Sequence, residues 1–361
     1  MGKPRIFESH IHLDKACILD RCNIEEGTLE EAVNETSKAK KDFTEEDVYK
    51  RASQVVEMAI KKGTMGMRTF VETDPKTSLR AFNAIKKVKE NYAFAIDIQI
   101  CAFAQEGLTD SKETQALLEE ALQNGATVVG GCPYKDENLN KHIEMILDLA
   151  QKYAIDADFH LDFDLNPEDS NSSIPKLVEE TLKRNYQGKV SIGHVTKLAA
   201  MRPEQREKMI SLLESANINL SILPATDIFL NGRNTGNPKP RGLVNAKDFA
   251  KRINTCIASN NILNAFTPYG DASLLRMANM YANLSQAATK EELETVYKMI
   301  GQNAAQMLQQ NFALEENRPA NLVIVEAKNA TDAIRKISQP LLGIKNGKVS
   351  FKNEAAILFI P

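Results

Sequence analysis

Eight short β-type runs, each followed by an amphipathic stretch of helical period, fill most of the chain. This alternation constrains the fold more than any other feature of the 361 residues. Strand-like segments lie at 7–13, 65–72, 94–102, 127–132, 157–162, 189–194, 219–223 and 255–258. Helical patterns occupy 45–62, 78–90, 113–124, 139–153, 174–185, 203–216 and 246–253. Lys62-Gly63, Asn124-Gly125 and Gln187-Gly188 each stop a helix just before the next strand. Strands alternating with helices make a parallel sheet, and eight such units are the count of a closed (β/α)8 TIM barrel. In that fold the active site lies at the C-terminal ends of the strands.

Four of the five histidines fall at those ends. His10 and His12 form an H-x-H in Glu8-Ser9-His10-Ile11-His12-Leu13, His160 closes Ala157-Asp158-Phe159-His160, and His194 closes Val190-Ser191-Ile192-Gly193-His194. Residues i and i+2 of a strand face the same side, so His10 and His12 can present both imidazoles to one ion. Imidazole suits zinc, iron and similar borderline metals, and four converging histidines read as a metal site. His142 sits in the helical run Asn140-Lys141-His142-Ile143 and reads as an ordinary structural residue.

Composition narrows the partners. A formal net charge of −3 gives no basic footprint for nucleic acid, and no apolar run approaches the ~20 residues of a membrane helix. The N-terminal segment lacks the apolar core of a signal peptide. The five cysteines are odd in number and scattered, so reduced thiols and a cytoplasmic location are expected. Beyond the eighth strand, helical patterns at 273–287 and 290–310 give way to a turn into a strand at 317–325 and to a hairpin at 344–351 with an Asn-Gly turn. The expected organisation is a barrel over residues 5–315 and a small β-domain over 316–361.

Several segments resemble the amidohydrolase superfamily, in its cytosine deaminase and N-isopropylammelide isopropylamidohydrolase branch. They are Glu8-Ser9-His10-Ile11-His12-Leu13-Asp14-Lys15, residues 99–107 ending in Ala104-Gln105-Glu106-Gly107, residues 128–133, His160-Leu161-Asp162, residues 223–233 with Asp227, and Pro240-Arg241-Gly242. Their order and spacing carry the resemblance over nearly the whole chain. It implies that His10, His12 and His160 ligate one divalent ion, zinc or iron, with His194 hydrogen-bonded to the attacking water or substrate. It also implies that Gln105 offers its amide to a planar heterocycle and that Phe266 packs on the ring. The implied reaction is hydrolysis of an exocyclic or ring C–N bond of a small heterocyclic substrate, in a homo-oligomer.

Two positions depart from the family pattern. Where the deaminases carry a metal-ligating, proton-accepting Asp after strand 8, this chain has Asn260, whose amide can coordinate weakly but cannot take a proton near pH 7. Where they carry a Glu three residues after the strand-5 His, it has Phe163. Two readings stay open: a hydrolase with a modified proton relay, or a catalytically impaired paralogue that binds a ligand. For the first, Asp162 and Asp271 are the candidate proton carriers. Asp162 equally suits orienting an imidazole, and Asp271 capping a helix.

Among other residues, Lys15 is expected in a solvated loop, and Arg68 with Glu72 as an ion pair inside the barrel. A turn-rich loop at 231–238 occupies the place of a lid. Relatives carry about half of their small β-domain before strand 1, whereas this chain reaches its H-x-H by residue 10, so the remaining strands are expected to leave an unpaired edge.

Overall fold

The computed structural model describes residues 5–233, 241–354 and 359, so most of the 231–238 loop lies outside the described residues. Eight strands pair in parallel in sequence order: β1 (Ile6–Ile11), β2 (Thr64–Glu72), β3 (Asp97–Ala104), β4 (Val128–Gly131), β5 (Asp156–Leu161), β6 (Val190–His194), β7 (Asn219–Ile222) and β8 (Thr255–Ile257). Asn260 closes the seam between β8 and β1: its N–H donates to the His10 carbonyl at 2.9 Å, and its carbonyl accepts from the His12 N–H at 2.8 Å. The (β/α)8 barrel expected from the alternation is therefore present, with each strand within a few residues of its predicted place.

Helices cover the barrel: α1 (Leu29–Ala39), α2 (Glu45–Lys61), α3 (Arg80–Asn91), α4 (Lys112–Gln123), α5 (Leu139–Tyr153), α6 (Ile174–Lys183), α7 (Pro203–Ser215), α8 (Pro224–Leu230), α9 (Leu274–Leu284), α10 (Lys290–Met299) and α11 (Gln302–Met307). Side-chain caps start many of them. Thr28, Thr44, Ser111 and Ser273 each accept a hydrogen bond from the N–H three residues on. Residues 246–253 form hydrogen-bonded turns rather than the regular helix their pattern suggests. Val55, Ile85, Leu118, Ile146, Leu177 and Leu213 on the helices and alternate strand residues such as Ile100 and Ile192 form one buried apolar layer.

Inside the barrel, Arg68 is fully buried and pairs with Asp156 and Asp158. Glu72, four residues along the same strand, pairs instead with Lys15 and Lys40. The expected Arg68–Glu72 pair does not form. At ~3.3 Å per residue the two side chains lie ~13 Å apart along β2, one deep in the barrel and one at its mouth.

After α11 the chain forms β9 (Leu322–Val325), α12 (Ala330–Lys336), β10 (Pro340–Lys345) and β11 (Lys348–Lys352), an antiparallel sheet in the order β11-β10-β9. This extra sheet packs at the N-terminal ends of the barrel strands, where Lys345 meets Asp97 and Arg5 donates to the Asn321 and Asn311 carbonyls. Its outer strands expose Ile324 and Val349.

Candidate active site

The strand ends gather the histidines into one buried cluster. The His10 ring lies 4.7 Å from that of His160 and 5.7 Å from that of His12, and His12 lies 5.1 Å from His160. Ligand nitrogens of His10, His160 and His194 fall within 4.8 Å of one another, a group that does not include His12. Phe70 and Phe103 form an apolar floor under the imidazoles. A Cβ on Gly193 would come within 2.7 Å of the His10 ring, so only glycine admits His10 at this place.

The polar atoms of this cluster are short of partners. His10 Nδ1 and Nε2, His12 Nδ1, His160 Nε2 and Asn260 Oδ1 are buried with no hydrogen bond among the described residues. Burial, reinforced by the neighbouring histidines and Lys15, pushes the pKa of His10, His12 and His160 well below the usual imidazole range. Neutral, unprotonated imidazoles gathered at the strand ends, with a buried amide oxygen just beyond the neighbouring strand, are donors a borderline divalent cation accepts, so the residues fit such an ion.

His194 is held differently. Its Nδ1 lies 2.7 Å from Asp227 Oδ1, and the other Asp227 oxygen accepts the Leu223 N–H. Asp227 is fully buried, and burial raises its pKa against the attraction of His194. With Nδ1 committed to the carboxylate, Nε2 is the atom left for the cleft. Asp227 lies in a segment that resembles the family, but its sequence context assigns it no role; its place one turn into α8, directly after β7, is the signal that marks it. Beneath the site, Glu8 accepts from the Ser259 and His10 N–H groups, tying β1 to the segment after β8, and burial lifts its pKa to about 7.

Above the histidines is a narrow cleft whose walls include Gln105, Phe163, Asn260 and Phe266. Gln105 donates to Cys132 Sγ and accepts from Lys15 Nζ. Lys15 is only 2% exposed; it pairs with Glu72 and sits 5.1 Å from the Phe266 ring centroid, so the expected solvated lysine is instead part of the cleft wall. Asn264 places both, donating to the Lys15 carbonyl and accepting from the Phe266 N–H. Phe163 packs edge-on against His194 at 4.5 Å.

No Asp or Glu is among the described residues that line the cleft. The Asp162 carboxylate accepts from Ser172 Oγ and the Ser173 N–H instead. Strand alternation stops at Leu161 and Asp162 turns to φ +46°, so the side chain does not follow His160. Asp271 accepts from the Ser273 N–H and pairs with Arg276 at the start of α9. The structure brings neither to the cleft. Non-glycine residues with positive φ recur at the strand ends, namely Asp162, His194 (+70°), Val195 (+50°) and Asn260 (+61°). Such conformations cost of order 1 kcal/mol or more each and cluster at functional sites.

A (β/α)8 barrel with buried histidines gathered at its strand ends beneath a narrow cleft is an arrangement shared by hydrolases of C–N bonds. The chain belongs to the amidohydrolase family, which it matches over residues 6–351. It is 25% identical to N-isopropylammelide isopropyl amidohydrolase of Pseudomonas sp. (strain ADP), over 98% of this chain and 87% of that protein. It is 23% identical to pterin deaminase of Rhizobium rhizogenes (strain K84 / ATCC BAA-868), over 96% and 79%. Its fold superimposes with a TM-score of 0.92 on 5-methylcytosine deaminase from Klebsiella pneumoniae liganded with 5-fluorocytosine, at 30% identity over 99% of this chain and 88% of that one.

Proposed function

We propose that the cleft hydrolyses an exocyclic or ring C–N bond of a planar nitrogen heterocycle, using one divalent ion, zinc or iron, and a proton relay altered from the cytosine deaminase pattern. The observation that carries this reading is the set of unpartnered buried atoms on His10, His12, His160 and Asn260, the last three of which line the cleft. Those four residues would hold the ion. An ion held there supplies Lewis acidity and makes water nucleophilic near neutral pH. The relatives whose names concern isopropylammelide, pterin and 5-methylcytosine all point to planar nitrogen rings.

The chain's own residues do the rest. Phe266 presents a flat face to the ring, and Gln105, fixed by Lys15 and Cys132, presents an amide edge that matches a ring carbonyl or nitrogen. Phe163 keeps solvent from His194. With no carboxylate lining the cleft, proton transfer falls to His194 Nε2: Asp227 fixes the tautomer and steadies the imidazolium once a proton is taken. Asp162 and Asp271 stand behind this relay as supports of the backbone.

The absence of a lining carboxylate also gives weight to a second reading, a ligand-binding protein without turnover. Protein reconstituted with zinc or with iron should be screened for ammonia and alkylamine release from cytosine, aminopyrimidines and aminated triazines. Release that His160→Ala abolishes supports the hydrolase. Tight binding without release from any ring selects the second reading, and neither binding nor release refutes both.

A further inference from the structure

At the corner where Gln105 and Phe266 meet, the cleft holds a buried ammonium. Lys15 lines the cleft together with those two residues, and its Nζ lies 3.4 Å from Gln105 Oε1 and 5.1 Å from the Phe266 ring centroid. Lys135 also lines the cleft but is exposed, while Lys40 and Lys76 border a neighbouring space that Val33 and Thr36 share.

Lys15 is fixed in this corner. Asn264 donates to its carbonyl, its N–H donates to Asp14 Oδ1 at 2.8 Å, and its Nζ pairs with Glu72. Asp14 is occupied by backbone groups, since its other oxygen accepts the Glu72 N–H at 3.0 Å. An ammonium has three N–H groups and accepts nothing. One goes to Glu72 and one makes the long contact with Gln105; no acceptor among the described residues takes the third.

The same contact decides what Gln105 presents. Only the oxygen of its amide can face an ammonium, so Nε2 points the other way, with one hydrogen toward Cys132 Sγ at 3.2 Å and a second to give. The corner is therefore rich in donors. A ring stacked on Phe266 with one edge against Gln105 brings that edge beside Lys15 Nζ. A carbonyl oxygen on the edge would find donors there, whereas an amino group would meet only hydrogens.

We propose that Lys15 contacts the substrate directly, donating a hydrogen bond to a carbonyl oxygen on the ring edge held against Gln105. The proposal rests on the heterocycle reading of the cleft and adds a requirement to it: a ring carbonyl conjugated with the carbon that bears the amine. When the attacking oxygen bonds to that carbon, the electron pair of the ring C=N bond moves to the ring nitrogen and, by conjugation, to the carbonyl oxygen. It returns as the C–N bond to the amine breaks. A charge-assisted hydrogen bond from Lys15 strengthens while the oxygen carries that charge, so it favours the transition state over the bound ring.

The test uses two matched pairs that differ only by the carbonyl, cytosine with 4-aminopyrimidine and isocytosine with 2-aminopyrimidine. Ammonia release and calorimetric binding are measured on zinc-reconstituted protein. Wild type should act on the carbonyl-bearing member of at least one pair, and Lys15→Met should lower its kcat about 10–100-fold with a smaller change in KM. The preference over the partner without the carbonyl should fall at least tenfold. Lys15→Met also leaves Glu72 short of a partner, so Lys15→Met with Glu72→Gln removes both charges while Lys40 keeps Asp74 and Glu106. That double variant should be no more active than Lys15→Met. Activity restored in the double variant, or a preference unchanged in Lys15→Met, would overturn the direct contact and leave Lys15 as a counter-ion of Glu72, with the heterocycle reading intact. Where rings bind without turnover, the same comparison is read from Kd. Failure of all four to bind or react would refute the heterocycle reading together with this proposal.

Discussion

Removing the Glu72 carboxylate should unbalance the mouth of the barrel in a measurable way. Glu72 is 2% exposed and pairs with both Lys15 and Lys40. In Glu72→Gln, Lys40 would keep Asp74 and Glu106, but Lys15 would lose its direct ion pair and keep the weak contact to Gln105, the Phe266 ring and the nearby Asp14 charge. Breaking a buried pair by deleting one partner costs about 3–5 kcal/mol, because a charge is left uncompensated. Titration offers an independent measure. Burial opposes the charged form of Glu72, yet Lys15 and Lys40 overcome it and hold its pKa at about 2, below the ordinary 4.5. A depressed carboxylate pKa contributes stability that is present above pH 4.5 and lost as the pH falls toward 2, at ~1.4 kcal/mol per unit, or about 3 kcal/mol here. Urea unfolding at pH 7 should show Glu72→Gln destabilised by about 3–5 kcal/mol at unchanged m. Adding Lys15→Met should recover more than half of that loss, and the acid-range loss should be smaller in the variant than in the wild type. A variant within 1 kcal/mol of wild type, or one that Lys15→Met fails to rescue, would refute this reasoning.

Other outcomes follow from the same geometry. Asp227→Asn should lower kcat by about 10²–10⁴-fold with KM little changed, since it acts through His194; a kcat within threefold of wild type would remove the pair from the relay. The double replacement Asn260→Asp with Phe163→Glu restores the deaminase pattern. It should reduce turnover in a hydrolase that relies on His194, because a carboxylate would stand where Phe163 packs at 4.5 Å from that ring, and ammonia release seen only in the double variant would favour the ligand-binding reading. Gly193→Ala should displace His10, whose ring lies 2.7 Å from the new methyl, and weaken zinc binding at least tenfold; an unchanged affinity by competition titration would contradict the assigned place of His10.

The barrel was legible because strand and helix periods alternate cleanly and glycines punctuate them, as at Lys62-Gly63 and Asn124-Gly125. Histidines at strand ends pointed to the site for the same reason, since strand direction alone decides which end bears them. What escaped was set by tertiary contact. Lys15 looked like a loop lysine because nothing local announces Glu72, 57 positions away, as its partner. Asp162 looked directed into the site because period-2 reasoning has no means of seeing a left-handed turn one residue past the end of β5. The Arg68–Glu72 pairing failed because a shared face does not imply a shared layer. Helix α1, which brings Val33 and Thr36 to the cleft and its neighbour, is polar over much of its length, and its apolar stripe gave too short a pattern to mark.

The central claim is that His10, His12, His160 and Asn260 form a binding site for one divalent cation. Isothermal titration of zinc into chelator-treated protein tests it most directly. One ion should bind per chain in the wild type, with binding lost in His12→Ala and in His160→Ala and strengthened in Asn260→Asp, where a carboxylate replaces an amide oxygen. Absence of zinc binding in the wild type, or binding of equal strength in both histidine variants, would contradict the account.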